Sequence, residues 1–174
     1  MTTTSRLSAF YLLGSFALAS SPVSAADVKP ADKAEPTLEI NLIVTAKGKE
    51  LFNSWNRPTS KPFQIEPVKV AERGPFLSAV VLFKGCKPDA TGNCDVDLDI
   101  TAYDPRGKVY SEMKGVELWK QKSAPDAGYT QLGIDYMGIV IEPQDLPGTY
   151  RVTAVAKDRN AKSEAKSSAT FEVK

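Results

Sequence analysis

The stretch Glu142-Pro143-Gln144-Asp145-Leu146-Pro147-Gly148-Thr149-Tyr150-Arg151-Val152 decides the fold. Before it, Ile134, Tyr136, Ile139 and Ile141 mark an apolar segment, weakened or bulged at Gly133 and Gly138. Two prolines then turn the chain, since each fixes φ and withholds a backbone donor. After Gly148 the apolar residues return at every second position, Tyr150, Val152 and Ala154, the period of a strand with one buried face. A strand, a proline-rich corner and a second strand predict a β protein.

The same period recurs on both sides of the corner. Leu38, Ile40, Leu42 and Val44 point one way and Glu39, Asn41 and Thr45 the other, with Ile43 the exception. Phe76 to Phe83 is a dense apolar run short enough for a central strand. From Asp95 to Tyr103, Val96, Leu98 and Ile100 alternate with Asp95, Asp97 and Asp99, and Asp104-Pro105-Arg106-Gly107 supplies a turn. Lys108 to Trp119 holds the next strand or two, interrupted at Gly115. Gln121 to Gly128 reads as a loop, Thr149 to Lys157 and Ala169 to Val173 as the last strands, and the polar Asp158 to Ser168 as the loop between them. No segment shows a helical stripe, and there is no internal repeat. Residues 37–174 are expected to form one all-β sandwich domain, with a proline-rich segment (residues 50–75) after the first strand.

The corner resembles the E–F corner of immunoglobulin-like sandwiches over residues 136–157. That resemblance implies an antiparallel immunoglobulin-like β-sandwich in which the Tyr150 hydroxyl bonds back to upstream backbone, with Asp145 and Gly148 shaping the turn. Val152 stands where antibody domains carry a cysteine, so the resemblance is to the broad superfamily. The whole chain also looks like small exported bacterial proteins of unassigned function. Superfamily membership does not set function.

Residues 1–25 read as a secretory signal peptide: Arg6 in the n-region, an apolar core from Ala9 to Ala19, Pro22, and small residues in Val23-Ser24-Ala25 for cleavage. A membrane anchor is the competing reading, weakened by Pro22 and several serines. Cleavage removes Arg6 and no acid, taking the net charge from +1 to zero. Residues 26–36 are polar, contain two prolines, and read as a disordered leader. The expected location is outside the cytosol, periplasmic in a Gram-negative cell and otherwise secreted, with no stable membrane insertion.

Composition excludes several functions. With 22 Lys plus Arg against 21 Asp plus Glu, there is no basic excess to hold nucleic acid. With no histidine, Ser-His-Asp triads, Cys-His pairs and His-ligated zinc are excluded. The two cysteines, Cys86 and Cys94, flank a turn-forming loop and permit one pairing, which stabilises by about 2–3 kcal/mol on the chain-entropy model. No C-x-x-C supports a reactive thiol. No cofactor is expected.

Three groups are candidate sites. Asp95, Asp97 and Asp99 place carboxylates ~6.5–7 Å apart along one strand face. They are read first as a solvated face opposite lysines, then as a weak calcium set or a carboxylate hydrolase centred on Asp97 and Asp99. Phe52, Trp55, Arg57 and Phe63 lie among prolines, either packing on the sandwich or anchoring a partner. Trp119 and Tyr129, with Tyr136, are a core or rim group or a carbohydrate-stacking surface. The leading expectation is a non-enzymatic envelope binding or accessory module whose partner is another envelope protein or a cell-surface polymer. The alternatives are a carboxylate-dependent hydrolase and a calcium- or carbohydrate-binding domain.

Overall fold

Strand pairing divides the chain into two sheets facing one core. The computed structural model describes residues 37–55 and 64–174. The expected signal peptide (1–25) and leader (26–36) lie outside the described residues, as do Arg57 and Phe63. In the first sheet, β1 (Glu39–Thr45) pairs antiparallel with β3 (Phe76–Lys84), whose other edge takes β6 (Gln131–Leu132) and β7 (Met137–Val140). The second sheet runs β2-β9-β8-β4-β5, with β2 at Val70–Ala71, β4 at Asn93–Tyr103, β5 at Val109–Ser123, β8 at Gly148–Asp158 and β9 at Ser163–Val173. This is an all-β sandwich of two sheets, as expected. Pairing is antiparallel except at β2, which lies parallel to β9 on an edge where the proline-rich connection can end.

The alternating residues meet between the sheets. Leu98, Ile100, Val152, Ala154 and Phe171 from one sheet pack against Leu42, Val81, Phe83 and Ile139 from the other. The dense run in β3 has a second cause besides its central place. Its inner residues Leu77, Ala79, Val81 and Phe83 enter the main core. Val80, on the other face, lies under a short helix, α1 (Gly48–Ser54), in a separate cluster with Leu51 and Leu132. Ile43, the residue that broke the pattern of β1, packs there too.

The helix corrects the expectation of an all-strand chain. Gly48, Leu51, Phe52 and Trp55 fall at helical spacing, but seven residues are too few to hold a helix by propensity. Packing on β3 holds it, and that packing needs Gly48: a Cβ there would lie 2.1 Å from Ser78 Oγ. Two boundaries also differ from expectation. β5 continues to Ser123, and β9 begins at Ser163, so the polar run from Ser163 is strand with exposed or half-buried residues.

The corner between β7 and β8 is densely bonded. The Tyr150 hydroxyl donates to the Leu146 carbonyl at 3.1 Å. Its ring stacks on Phe171 and meets Tyr110 edge-on. Asp145 Oδ2 accepts from the Glu142 amide at 2.7 Å and lies 2.6 Å from the Tyr110 hydroxyl. Arg73 donates to the Glu142 and Asp145 carbonyls. Burial, reinforced by the Asp145 carboxylate, raises the Tyr110 phenol pKa well above its ordinary value. Gly148 takes φ +125°, a conformation that disfavours side chains, and a Cβ there would lie 3.0 Å from Pro105.

Two substitutions measure these contacts. Gly48→Ala is expected to destabilise by about 1–2 kcal/mol in chemical denaturation, because overpacking exceeds the helix propensity that alanine adds. Ser78→Gly in the same chain should recover most of the loss. Tyr150→Phe should cost about 1 kcal/mol through the orphaned Leu146 carbonyl.

Candidate functional site

The helix on the outer face of β3 and the far end of β5 leave a cleft between them. Phe52 and Trp55 reach it from α1, Trp119 and Lys122 from β5, and Gln131, Leu132, Gly133 and Ile134 from β6 and the residues after it. Its volume is about 420 Å³. Each side is positioned by packing. Leu51 anchors the helix beside Val80 and Leu132. The Trp119 ring packs on Phe83 with centroids 5.5 Å apart, and its Nε1 donates to the Ser123 carbonyl at 2.9 Å. After β6 the chain crosses between the sheets: the Gly133 amide donates to Val81 in one and the Ile134 amide to Leu118 in the other.

This geometry joins residues that the sequence keeps far apart. Phe52 and Trp55 come together with Trp119, and the Tyr136 ring lies tilted beside Phe52 at 4.8 Å between centroids. Ile134 and Tyr136 remain exposed, which continues the apolar surface beyond the cleft. The Lys122 ammonium lies 5.9 Å from the Trp119 ring centre and, among the described residues, makes no ion pair. Tyr129 does not join this group; it is 69% exposed and outside the lining. Sequence reasoning missed Lys122, Gln131, Leu132, Gly133 and Ile134. No local signal marks them, since only the crossing between sheets brings them to α1.

The aspartate row differs from the solvated face expected. Asp97 is 4% exposed, because Arg159 pairs with it from the end of β8 and Lys120 stands 3.7 Å away on β5. Lys157 binds Asp99 at 2.6 Å, and the Gly115 amide donates to the same carboxylate at 2.8 Å. The Lys157 hydrogen bond, which outweighs partial burial, holds Asp99 below the usual carboxylate range. Asp95 has one buried carboxylate oxygen without a hydrogen-bond partner among the described residues. Among those residues no group of three or more metal-ligating side chains is gathered as a metal site requires.

Cys86 and Cys94 are joined by a disulfide with Cα atoms 6.0 Å apart, and both are buried. Their loop is fastened to the turn between β8 and β9. Buried Asp158 accepts the Lys87 amide at 2.7 Å, and the Asn160 side-chain amide donates to the Lys87 and Asn93 carbonyls. Among the described residues no helix is long and apolar enough to cross a membrane.

No protein-family model and no curated protein sequence matches the chain. Solved structures give loose likenesses between β folds. One is the CARDB domain of a Pyrococcus furiosus protein in complex with di-metal ions, 12% identical, with TM-score 0.40, covering 79% of this chain and 93% of that one. Another is a family 123 glycoside hydrolase from Clostridium perfringens, studied for glycolipid glycan hydrolysis, 10% identical with TM-score 0.42. That likeness covers 78% of this chain and only 27% of the hydrolase. Their metal and glycan chemistry stays with those proteins.

The ion pairs set an acid response. Asp99 has a folded pKa below its unfolded one, so its contribution is complete above the unfolded value and is lost as pH falls through the folded value. Between about pH 4 and pH 2, melting temperature should fall less steeply in Asp99→Asn than in the parent, as read by thermal denaturation across that range.

Proposed function

We propose that this chain is a non-enzymatic, exported binding or accessory module of the cell envelope, and that it holds its partner in the cleft between α1 and the end of β5. The partner is another envelope protein or a cell-surface polymer. The observation that carries this reading is the convergence of Phe52 and Trp55 from α1 with Trp119 and Ile134 on one open concavity, beside Lys122, which makes no ion pair among the described residues. Aromatic residues in such a setting dominate binding energy at protein interfaces.

Several features support the rest of the reading. A buried disulfide fits an oxidising compartment, periplasmic in a Gram-negative cell and otherwise secreted. The Lys157 ammonium beside Asp99 favours that carboxylate in its ionised form, whereas a catalytic acid needs its proton retained. The bond from Tyr150 to Leu146 supports a place in the immunoglobulin-like superfamily.

The test is affinity capture from an envelope extract with the parent chain and with Trp55→Ala and Ile134→Asp. Ile134 is 41% exposed, so its replacement should leave the melting temperature unchanged. A stoichiometric partner is expected with the parent and at least about tenfold less with either variant. Equal capture by all three would overturn the cleft as the binding surface.

A further inference from the structure

Two polar side chains line the cleft, Lys122 and Gln131, and among the described residues neither has a hydrogen-bond or ion-pair partner. Three further donors at its walls are committed. The Gly133 amide donates to the Val81 carbonyl, the Ile134 amide to the Leu118 carbonyl and the Trp119 indole nitrogen to the Ser123 carbonyl. The lining holds one charge, that of Lys122, and no carboxylate. Both tryptophans of the chain, Trp55 and Trp119, stand in this lining with Phe52. Tyr136, 38% exposed, lies beside Phe52, so aromatic surface continues out of the cleft on the α1 side.

These groups set what an occupant must offer. A purely apolar occupant strips water from Lys122 and Gln131 and gives nothing back. An extended polypeptide brings a main-chain donor and acceptor at each residue. The backbone at the cleft floor cannot pair with them, since Leu132 is 4% exposed and Gly133 is buried. A sugar ring has the matching division. The C–H bonds on each face of a pyranose lie against aromatic rings, whose faces carry partial negative charge. Its hydroxyls project around the rim, where side chains or water meet them. The free Lys122 ammonium then selects a sugar that carries a carboxylate. Ligand clefts of about 300–1,000 Å³ combine aromatic walls with a few orienting polar groups, and this one measures about 420 Å³.

We propose that the cleft binds an acidic polysaccharide, with one uronate ring among Phe52, Trp55 and Trp119, its carboxylate on Lys122 and a hydroxyl on Gln131. This rests on the reading of the cleft as the partner-binding surface and chooses between its two partners, the polymer over the protein. Charge complementarity carries the choice of an acid, because the lining presents one cation and no anion. The attraction is local. The whole chain carries a net charge of only +1, too little to gather a polyanion by its overall field. The neighbouring Lys120 is already paired with Asp97 at 3.7 Å, which leaves Lys122 as the cation that β5 offers to the cleft. The next ring of the polymer passes over Ile134 to Tyr136, both exposed. Affinity therefore rises with chain length until rings meet both ends of this surface.

The probes are (1→4)-linked hexasaccharides of glucuronate, galacturonate and mannuronate, each with its methyl ester, which keeps the rings and removes the charge. Because both tryptophans line the cleft, the indole fluorescence of the full chain reports on it. At least one of the acids is expected to bind, and its ester to bind about tenfold or more weakly. Lys122 is exposed, so Lys122→Gln should keep the parent melting temperature. That variant should bind acid and ester within about twofold of each other. Tyr136→Ala should weaken the hexasaccharide about fivefold or more and the disaccharide less than about twofold. If acid and ester bind alike, or if Lys122→Gln leaves their difference intact, the acidic ligand is overturned. If polyphosphate, an anionic chain without sugar rings, competes equally per charge, the stacked sugar is overturned. If no probe binds at millimolar concentration, the polysaccharide is overturned and the capture experiment reports separately on the cleft. A protein held by the parent and lost in Ile134→Asp would keep the cleft and put a polypeptide in it, whereas equal capture would remove the cleft itself.

Discussion

Burial of β3 on both faces is the constraint on which the rest of this molecule depends. One face closes the main core, where Ala79, Val81 and Phe83 are at most 1% exposed. The other face needs its own cover, because Val80 and Leu82 would otherwise form an apolar patch on the outside of the sheet. The short helix supplies that cover, and the absence of a side chain at Gly48 lets it approach Ser78. Placing a helix there also shapes the surface. It sets Phe52 and Trp55 beside the edge of the sheet, where β6 and the crossing residues bring Leu132 and Ile134. The cleft is thus a product of the same packing that hides Val80.

The two ends of the sandwich are held by different chemistry. At the β7–β8 corner, Tyr110, Tyr150, Arg73 and Asp145 satisfy backbone groups that prolines and a tight turn leave without sheet partners. At the other end, a disulfide closes the β3–β4 loop, and Asp158 and Asn160 tie that loop to the β8–β9 turn. Between them, Lys120 of β5 and Lys157 and Arg159 at the end of β8 pair with Asp97 and Asp99 on the face of β4. These contacts restrain the framework while the cleft stays open. Binding surfaces are commonly carried in this way, on segments that a rigid scaffold positions.

Much of the framework was legible from residue order. Alternation located β1, β4 and β8, and Pro143, Pro147 and Gly148 marked the corner, because strand period and turn chemistry are local properties. The helix was less legible. Gly48, Leu51, Phe52 and Trp55 have helical spacing, but two turns carry too little periodic signal to stand out. The aspartates show a different limit. Their alternation on β4 is visible in the sequence, yet the burial of Asp97 depends on Arg159, which lies 62 residues away.

By itself the sequence determined the strand period, the corner, the pairing of its two cysteines and the chemistries denied by the lack of histidine. Each follows from neighbouring residues or from composition alone. The tertiary structure alone decided that Trp55 and Trp119 share a cleft, that α1 covers β3, and that Arg159 meets Asp97. Those outcomes depend on which strands become neighbours and in what register, and register is set by the summed packing of both sheets.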